Sequence, residues 1–122
     1  SYTTFSIGKA NISNTSIRKG DSVTITIPVT NAGKMNGTEI LQVYVRKLND
    51  NDGPLKTLKA FRRVSLAAGE TSSPSITLSP SSFEFFDRTS GAMAVAPGDY
   101  EIFYGNSSDP KDLKVEKLRI EE

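Results

Sequence analysis

Hydrophobic positions in this chain recur at every second residue, in short runs cut by Gly, Pro and Asn. Val23, Ile25, Ile27 and Val29 alternate with Thr24, Thr26, Pro28 and Thr30, a period of two on β-branched residues that predicts a half-buried strand. Pro28 has no N–H for a ladder, so that point is expected at an edge or a bulge. A turn from Asn31 to Thr38, with an Asn-Gly pair, leads into a second run. There Leu41, Val43 and Val45 alternate with Ile40, Gln42 and Tyr44. Apolar bulk in both phases predicts a strand covered on both faces, or one whose second face meets another domain.

The same pattern continues to the end of the chain. A polar loop from Asn49 to Pro54 precedes a strand over 60–66, and Pro74 and Pro80 bracket another over 75–78. The segment from Ser81 to Val95 is irregular and aromatic. Pro97-Gly98 signals a turn, after which Tyr100, Ile102 and Tyr104 alternate against Glu101 and Phe103. In the last run, over 113–120, Leu113 and Val115 sit in one phase and Leu118 and Ile120 in the other, which predicts a bulge. About seven short strands separated by turns, with no helical period, predict an all-β, immunoglobulin-like antiparallel sandwich. Tyr100, just after the Pro-Gly turn, is a candidate tyrosine corner, its hydroxyl bonding back to upstream backbone. The alternative is an ordinary half-buried strand tyrosine.

Composition narrows the chemistry. The 122 residues suffice for a single domain spanning 1–122 with its own core. Fifteen basic against fourteen acidic residues give a net charge of +1, which makes no field for nucleic acid. The absence of Cys and His removes thiolate sites, the usual zinc ligand and a Ser-His-Asp triad, and no metal or cofactor is expected. No apolar run approaches the ~20 residues that span a bilayer. The opening SYTTFSIGKA has neither a signal-peptide pattern nor an initiator Met, and a fragment cut from a longer chain is expected.

Individual motifs carry little chemistry. Asp50-Asn51-Asp52-Gly53 has calcium-loop composition, but with Gly53 at the sixth position Leu48 and Lys59 occupy positions that require carboxylates. Glu84 and Asp87 are a carboxylate pair of the kind glycoside hydrolysis uses, yet that reaction needs a sugar pocket between them, with the carboxyls about 5–9 Å apart. Turn capping is expected instead. Phe83, Phe85, Phe86, Tyr44 and Phe61 could form a sugar-stacking platform; a small sandwich needs large aromatics in its core or at an interface, and that reading is preferred. Asn11, Asn14, Asn36 and Asn106 open sequons that matter in a eukaryotic secretory pathway.

Four longer blocks carry a resemblance: VTITIPVTNAGKMNGTEILQVYV, LKTLKAFRRVSLAAGE, SFEFFD and VAPGDYEIFYGNSS. They resemble the fibronectin type III-like domain of glycoside hydrolase family 3 enzymes. The matching positions are Val29, Asn31, Gly33, Gly37, Glu39, Gln42, Tyr44 and Val45, then Lys56, Leu58, Phe61, Arg63, Val64, Leu66, Gly69 and Glu70. Pro97, Gly98, Tyr100, Glu101, Gly105, Ser107 and Ser108 close the set. Two positions depart from the pattern: Ala60 replaces a common Gly, and Ala and Met replace a frequent aromatic near Met93–Val95.

The resemblance implies a C-terminal accessory domain with no catalytic residues, residues 1–10 leading in from a catalytic portion. Its partners would be the catalytic domains of the same parent chain, with no nucleic acid and no membrane. The parent would be a β-glucosidase or β-xylosidase acting on a β-linked oligosaccharide or glycoside, periplasmic or secreted. The alternative is a free-standing glycan-binding or adhesive module. Alternation in Leu58 to Glu70 sends Arg62, Val64 and Leu66 to one side and Phe61, Arg63 and Ser65 to the other. The two guanidinium groups then diverge and cannot form a bidentate clamp. Tyr44, Phe61 and Arg63 are the expected interdomain docking residues.

Overall fold

The computed structural model describes residues 4–48, 57–107 and 110–122. The calcium-like loop Asp50 to Gly53 lies outside the described residues. The strands are β1 (Phe5–Ile7), β2 (Asn11–Ile12), β3 (Ser16–Arg18), β4 (Val23–Thr26), β5 (Val29–Asn31), β6 (Gly37–Lys47) and β7 (Thr57–Leu66). They continue with β8 (Thr71–Ser72), β9 (Ser75–Leu78), β10 (Phe85–Asp87), β11 (Ala92–Ala94), β12 (Gly98–Gly105) and β13 (Lys114–Glu121). Short 3-10 turns lie at Pro80–Phe83 and Pro110–Asp112.

Two layers enclose the core. One is a five-stranded sheet of order β3-β13-β12-β6-β7, antiparallel except where β3 runs parallel to β13. The other consists of two three-stranded pieces, β1-β5-β8 and β2-β4-β9. These pieces are halves of one bent layer, because all three of its strands break at the same level. The bonds Gly8 N–H to Pro28 O (2.9 Å) and Ile27 N–H to Pro74 O (3.0 Å) bridge the break. Pro28 therefore sits neither at an edge nor at a bulge. It lies in the central strand, where its neighbours are interrupted too and no ladder acceptor is left waiting for its missing N–H. A Cβ on Gly8 would stand 3.2 Å from the Pro28 ring, a tight contact that a side chain here could make only if the ring gave way slightly.

The alternating phases pack as their periodicity demands. Ile25, Ile27 and Val29 from the bent layer meet Leu41, Val43, Val45, Ile102, Leu118 and Ile120 from the larger sheet, all essentially solvent-free. Burying each such side chain stabilises the fold by about 1.5–3 kcal/mol relative to exposure. The bulge expected in the last strand is absent: β12 and β13 pair in unbroken register from Gly98↔Ile120 to Tyr104↔Lys114. The inward phase passes through Glu116, so Val115 points outward at 43% exposure. Glu116 tolerates that position because Lys9 Nζ reaches its carboxylate at 2.9 Å.

The bulge lies instead in β7. Val43 pairs with Ala60 but Tyr44 pairs with Leu58, which leaves Lys59 as the extra residue. Lys59 turns its ammonium over the Phe85 ring, 5.2 Å from the centroid, and every residue before it changes face. The irregular aromatic stretch resolves into a 3-10 turn and the β10–β11 hairpin. Phe83 and Phe85 from this stretch are buried against Tyr100, with ring centroids 5.9 and 6.2 Å away.

Candidate docking face

The outward face of the five-stranded sheet carries an apolar row that crosses four strands. Leu58 on β7 lies opposite Tyr44 on β6, Tyr44 opposite Phe103 on β12, and Phe103 opposite Val115 on β13. Directly opposed residues share a face of a sheet, so the four form a continuous stripe. Leu58 joins it through the bulge at Lys59; strict alternation would have turned it inward. Tyr44 is only 9% exposed on this face. Its hydroxyl donates to Gln42 Oε1 on the same strand.

Beside this row stand the remaining expected docking residues. Phe61 lies opposite Gln42 and Arg63 opposite Ile40. Phe61 is 70% exposed and Ile40 42%, a pair of apolar groups on the same side of the stripe. Tyr44, Phe61 and Arg63 thus share one face. The sequence reading missed Ile40, Leu58, Phe103 and Val115 as members of it. Phe103 carried a signal, being an aromatic in the polar phase of its strand.

The twin arginines diverge. Val64 and Leu66 point into the core, and Arg62, in their phase, reaches across the edge of the sandwich to donate from Nη1 to the Ser75 carbonyl at 2.6 Å. Arg63 points to the opposite, outward side. On the other flank of the row charges are paired within the domain. Arg46 lies 3.8 Å from Glu101, and Arg119 reaches Asp99 at 3.1 Å and Glu121 at 2.9 Å. Those two carboxylates, Glu121 foremost, push the Arg119 pKa further up.

Other candidate residues lie away from this face. Tyr100 is solvent-free, and its hydroxyl donates to the Ala96 carbonyl, four residues upstream, at 2.6 Å. The Asp87 carboxylate accepts the Thr89 N–H at 2.9 Å, and its carbonyl accepts the Gly91 N–H at 2.7 Å, fastening the turn of the β10–β11 hairpin. No group of three or more His, Cys, Asp or Glu side chains converges among the described residues.

Several positions of the resembling pattern are explained by one buried polar knot. Asn31, fully buried, donates from Nδ2 to the carbonyls of Met35 (2.8 Å) and Leu66 (3.2 Å), and accepts from Gly33 N–H at 3.0 Å. Its backbone bonds Glu70 and Gly69, and Gly69 takes φ +78, a conformation that favours glycine. Glu70 closes its own turn by accepting from Ala67 N–H at 2.8 Å. This knot holds the ends of β6 and β7 in register, and so holds the apolar row they carry.

A match to the fibronectin type III-like domain family covers residues 39–108, from β6 past the end of β12. The chain is 46% identical over 120 residues to a xylan 1,4-beta-xylosidase of Xylanibacter ruminicola, covering 98% of this chain and 14% of that enzyme. It is 38% identical to a beta-xylosidase of Formosa agariphila, covering 98% of this chain and 17% of that one. Among solved structures, a beta-glucosidase involved in saponin metabolism from intestinal bacteria superposes with a TM-score of 0.90 at 30% identity, over 98% of this chain and 16% of the enzyme. A beta-glucosidase from Listeria innocua bound to glucose gives 0.88 at 26%, over 99% and 16%. The chain therefore spans a small part, under a fifth, of the enzymes it matches. On this evidence the chain belongs to the fibronectin type III-like domain family, in the form carried by family 3 β-xylosidases and β-glucosidases.

Proposed function

We propose that this chain is a non-catalytic, C-terminal accessory domain of a family 3 glycoside hydrolase, and that it braces the catalytic domains of the same parent chain. The observation that carries this reading is the row Leu58–Tyr44–Phe103–Val115 with the exposed Phe61 and Ile40 beside it, on the outward face of the five-stranded sheet. Apolar surface removed from water contributes roughly 25 cal/mol per Å², and interdomain contacts typically span about 600–1,500 Å². A stripe across four strands suits a contact of that kind. Tyr44 and Phe61 supply apolar area, and Arg63 supplies a charged anchor at its side. The parent acts on a β-linked glycoside, and one of its relatives is named a periplasmic beta-glucosidase, which agrees with action outside the cytoplasm. No helix among the described residues is long and apolar enough to cross a membrane.

A glycan-binding module would display several exposed aromatics in one plane. On this face Phe61 is largely exposed, whereas Tyr44 is buried and Phe103 is half-buried. Incubating the 122-residue chain with aryl β-xylosides and β-glucosides tests the assignment directly: no turnover is expected, and reproducible hydrolysis would overturn it. Titration with xylo- and gluco-oligosaccharides should leave the Phe61 and Tyr44 resonances unmoved; saturable shifts would favour the glycan-binding reading.

A further inference from the structure

The exposed face is electrostatically lopsided about its apolar row. On the β12–β13 side, Glu101, Asp99 and Glu121 already have a cation of the domain within 4 Å. On the β7 side Arg63 has neither a hydrogen bond nor an ion pair with any described residue. It is flanked along β7 by Phe61 and faces Ile40 across the ladder. Phe61 is 70% exposed and Ile40 42%. A surface that covers both must also cover the guanidinium between them, and a desolvated guanidinium without an anion is strongly unfavourable. Its planar fork of donors matches a carboxylate held bidentately.

We propose that the surface docking on this face supplies a carboxylate to Arg63, set in an apolar frame that closes over Phe61 and Ile40. The occupant is the remainder of the parent chain, so the inference rests on the accessory-domain reading and adds the chemistry of its partner. The paired flank sets the orientation: an extra acid there would meet carboxylates already satisfied, while an acid at Arg63 meets an open cation.

The test compares the full-length parent with the 122-residue chain. Hydroxyl-radical oxidation of Phe61 and Tyr44 reports whether the face is covered, and unfolding temperatures are recorded for Arg63→Met, Arg63→Lys, Arg63→Glu and Phe61→Ser. Expected is several-fold slower oxidation of Phe61 in the parent. Arg63→Met and Arg63→Glu should lower the parent's unfolding temperature by a few degrees, with Arg63→Lys in between, while the isolated chain is unchanged by all three. A covered Phe61 with Arg63→Met as stable as wild type would overturn the carboxylate and leave the docking reading standing. Equal oxidation in parent and isolated chain, with Phe61→Ser silent, would overturn docking itself. Protection of Phe61 that appears in the isolated chain as its concentration rises would assign the face to a second copy and overturn the choice of occupant.

Discussion

The hydroxyl of Tyr104 accepts the backbone N–H of Ala10 at 2.8 Å, joining two buried residues 94 positions apart in sequence. The same hydroxyl lies 3.4 Å from Glu116 Oε2, which Lys9 Nζ approaches at 2.9 Å. Together with the pairing of β1 to β5 and the bond from Ala32 N–H to Thr4 O, this cluster makes residues 4–10 part of the sandwich.

Tyr104→Phe keeps the packing and removes the acceptor, leaving the Ala10 N–H buried and unpaired. The expected loss is about 1–3 kcal/mol of unfolding free energy, measured by urea titration. Hydrogen exchange at the Ala10 amide should accelerate, while amides of β12 and β13 follow only the global loss.

Alkaline pH should act through the same cluster. Burial, foremost, raises the Tyr104 pKa above the ordinary tyrosine value, with the Glu116 charge adding to it. The hydrogen bond and charge of Glu116 raise that of Lys9. Both groups hold their protons more tightly folded than unfolded, so the unfolded state binds fewer protons above about pH 10. Stability is then full below that pH and falls as pH rises toward the raised folded values. Denaturant midpoints between pH 8 and 11.5 check the slope, which should be shallower in Tyr104→Phe.

Asn31→Ala removes the knot between the β5–β6 and β7–β8 connections. It strips partners from the buried Leu66 carbonyl and from the Met35 carbonyl and Gly33 N–H beside it. A loss of about 2–4 kcal/mol is expected from several broken bonds to buried groups. Asn31→Asp should cost a comparable amount, because a carboxylate cannot donate to the two carbonyls. Either variant that unfolds at the wild-type urea midpoint would contradict the role given to this side chain.

Tyr100→Phe tests the corner at the entry of β12. It removes the bond to the Ala96 carbonyl, while the ring contacts with Phe83 and Phe85 survive. A decrease of about 1–2 kcal/mol is expected. Tyr100→Ala, which also opens a cavity beside both phenylalanines, should cost at least about 3 kcal/mol.

Much of the sandwich was legible because its inward positions are β-branched or aliphatic and strictly alternating, as from Val23 to Val29 and from Ser75 to Leu78. The face was legible in part. Apolar bulk in both phases of β6 marked Tyr44, and Phe61 and Arg63 stood out in the polar phase of β7. Two local exceptions concealed the rest. Glu116 occupies an inward position with help from Lys9 and Tyr104, so the apolar residues of the last strand fall in two phases, a pattern that imitates a bulge. Lys59 inserts an extra residue, so Leu58 faces outward against its apparent phase. Each exception depends on a partner distant in sequence, Lys9 in one case and Phe85 in the other, and period counting along a single segment does not detect such partners.

The ten-residue strand β7 forms one border of the larger sheet. Borders of that length are where foreign strands attach and amyloid-like stacking begins. This one is kinked at Lys59, and its Arg62 and Arg63 project to opposite sides, one of them fastened to the Ser75 carbonyl of the other layer. The isolated 122-residue chain should resist templating fibrils along this border, with aggregation awaiting loss of the kink or of the arginines.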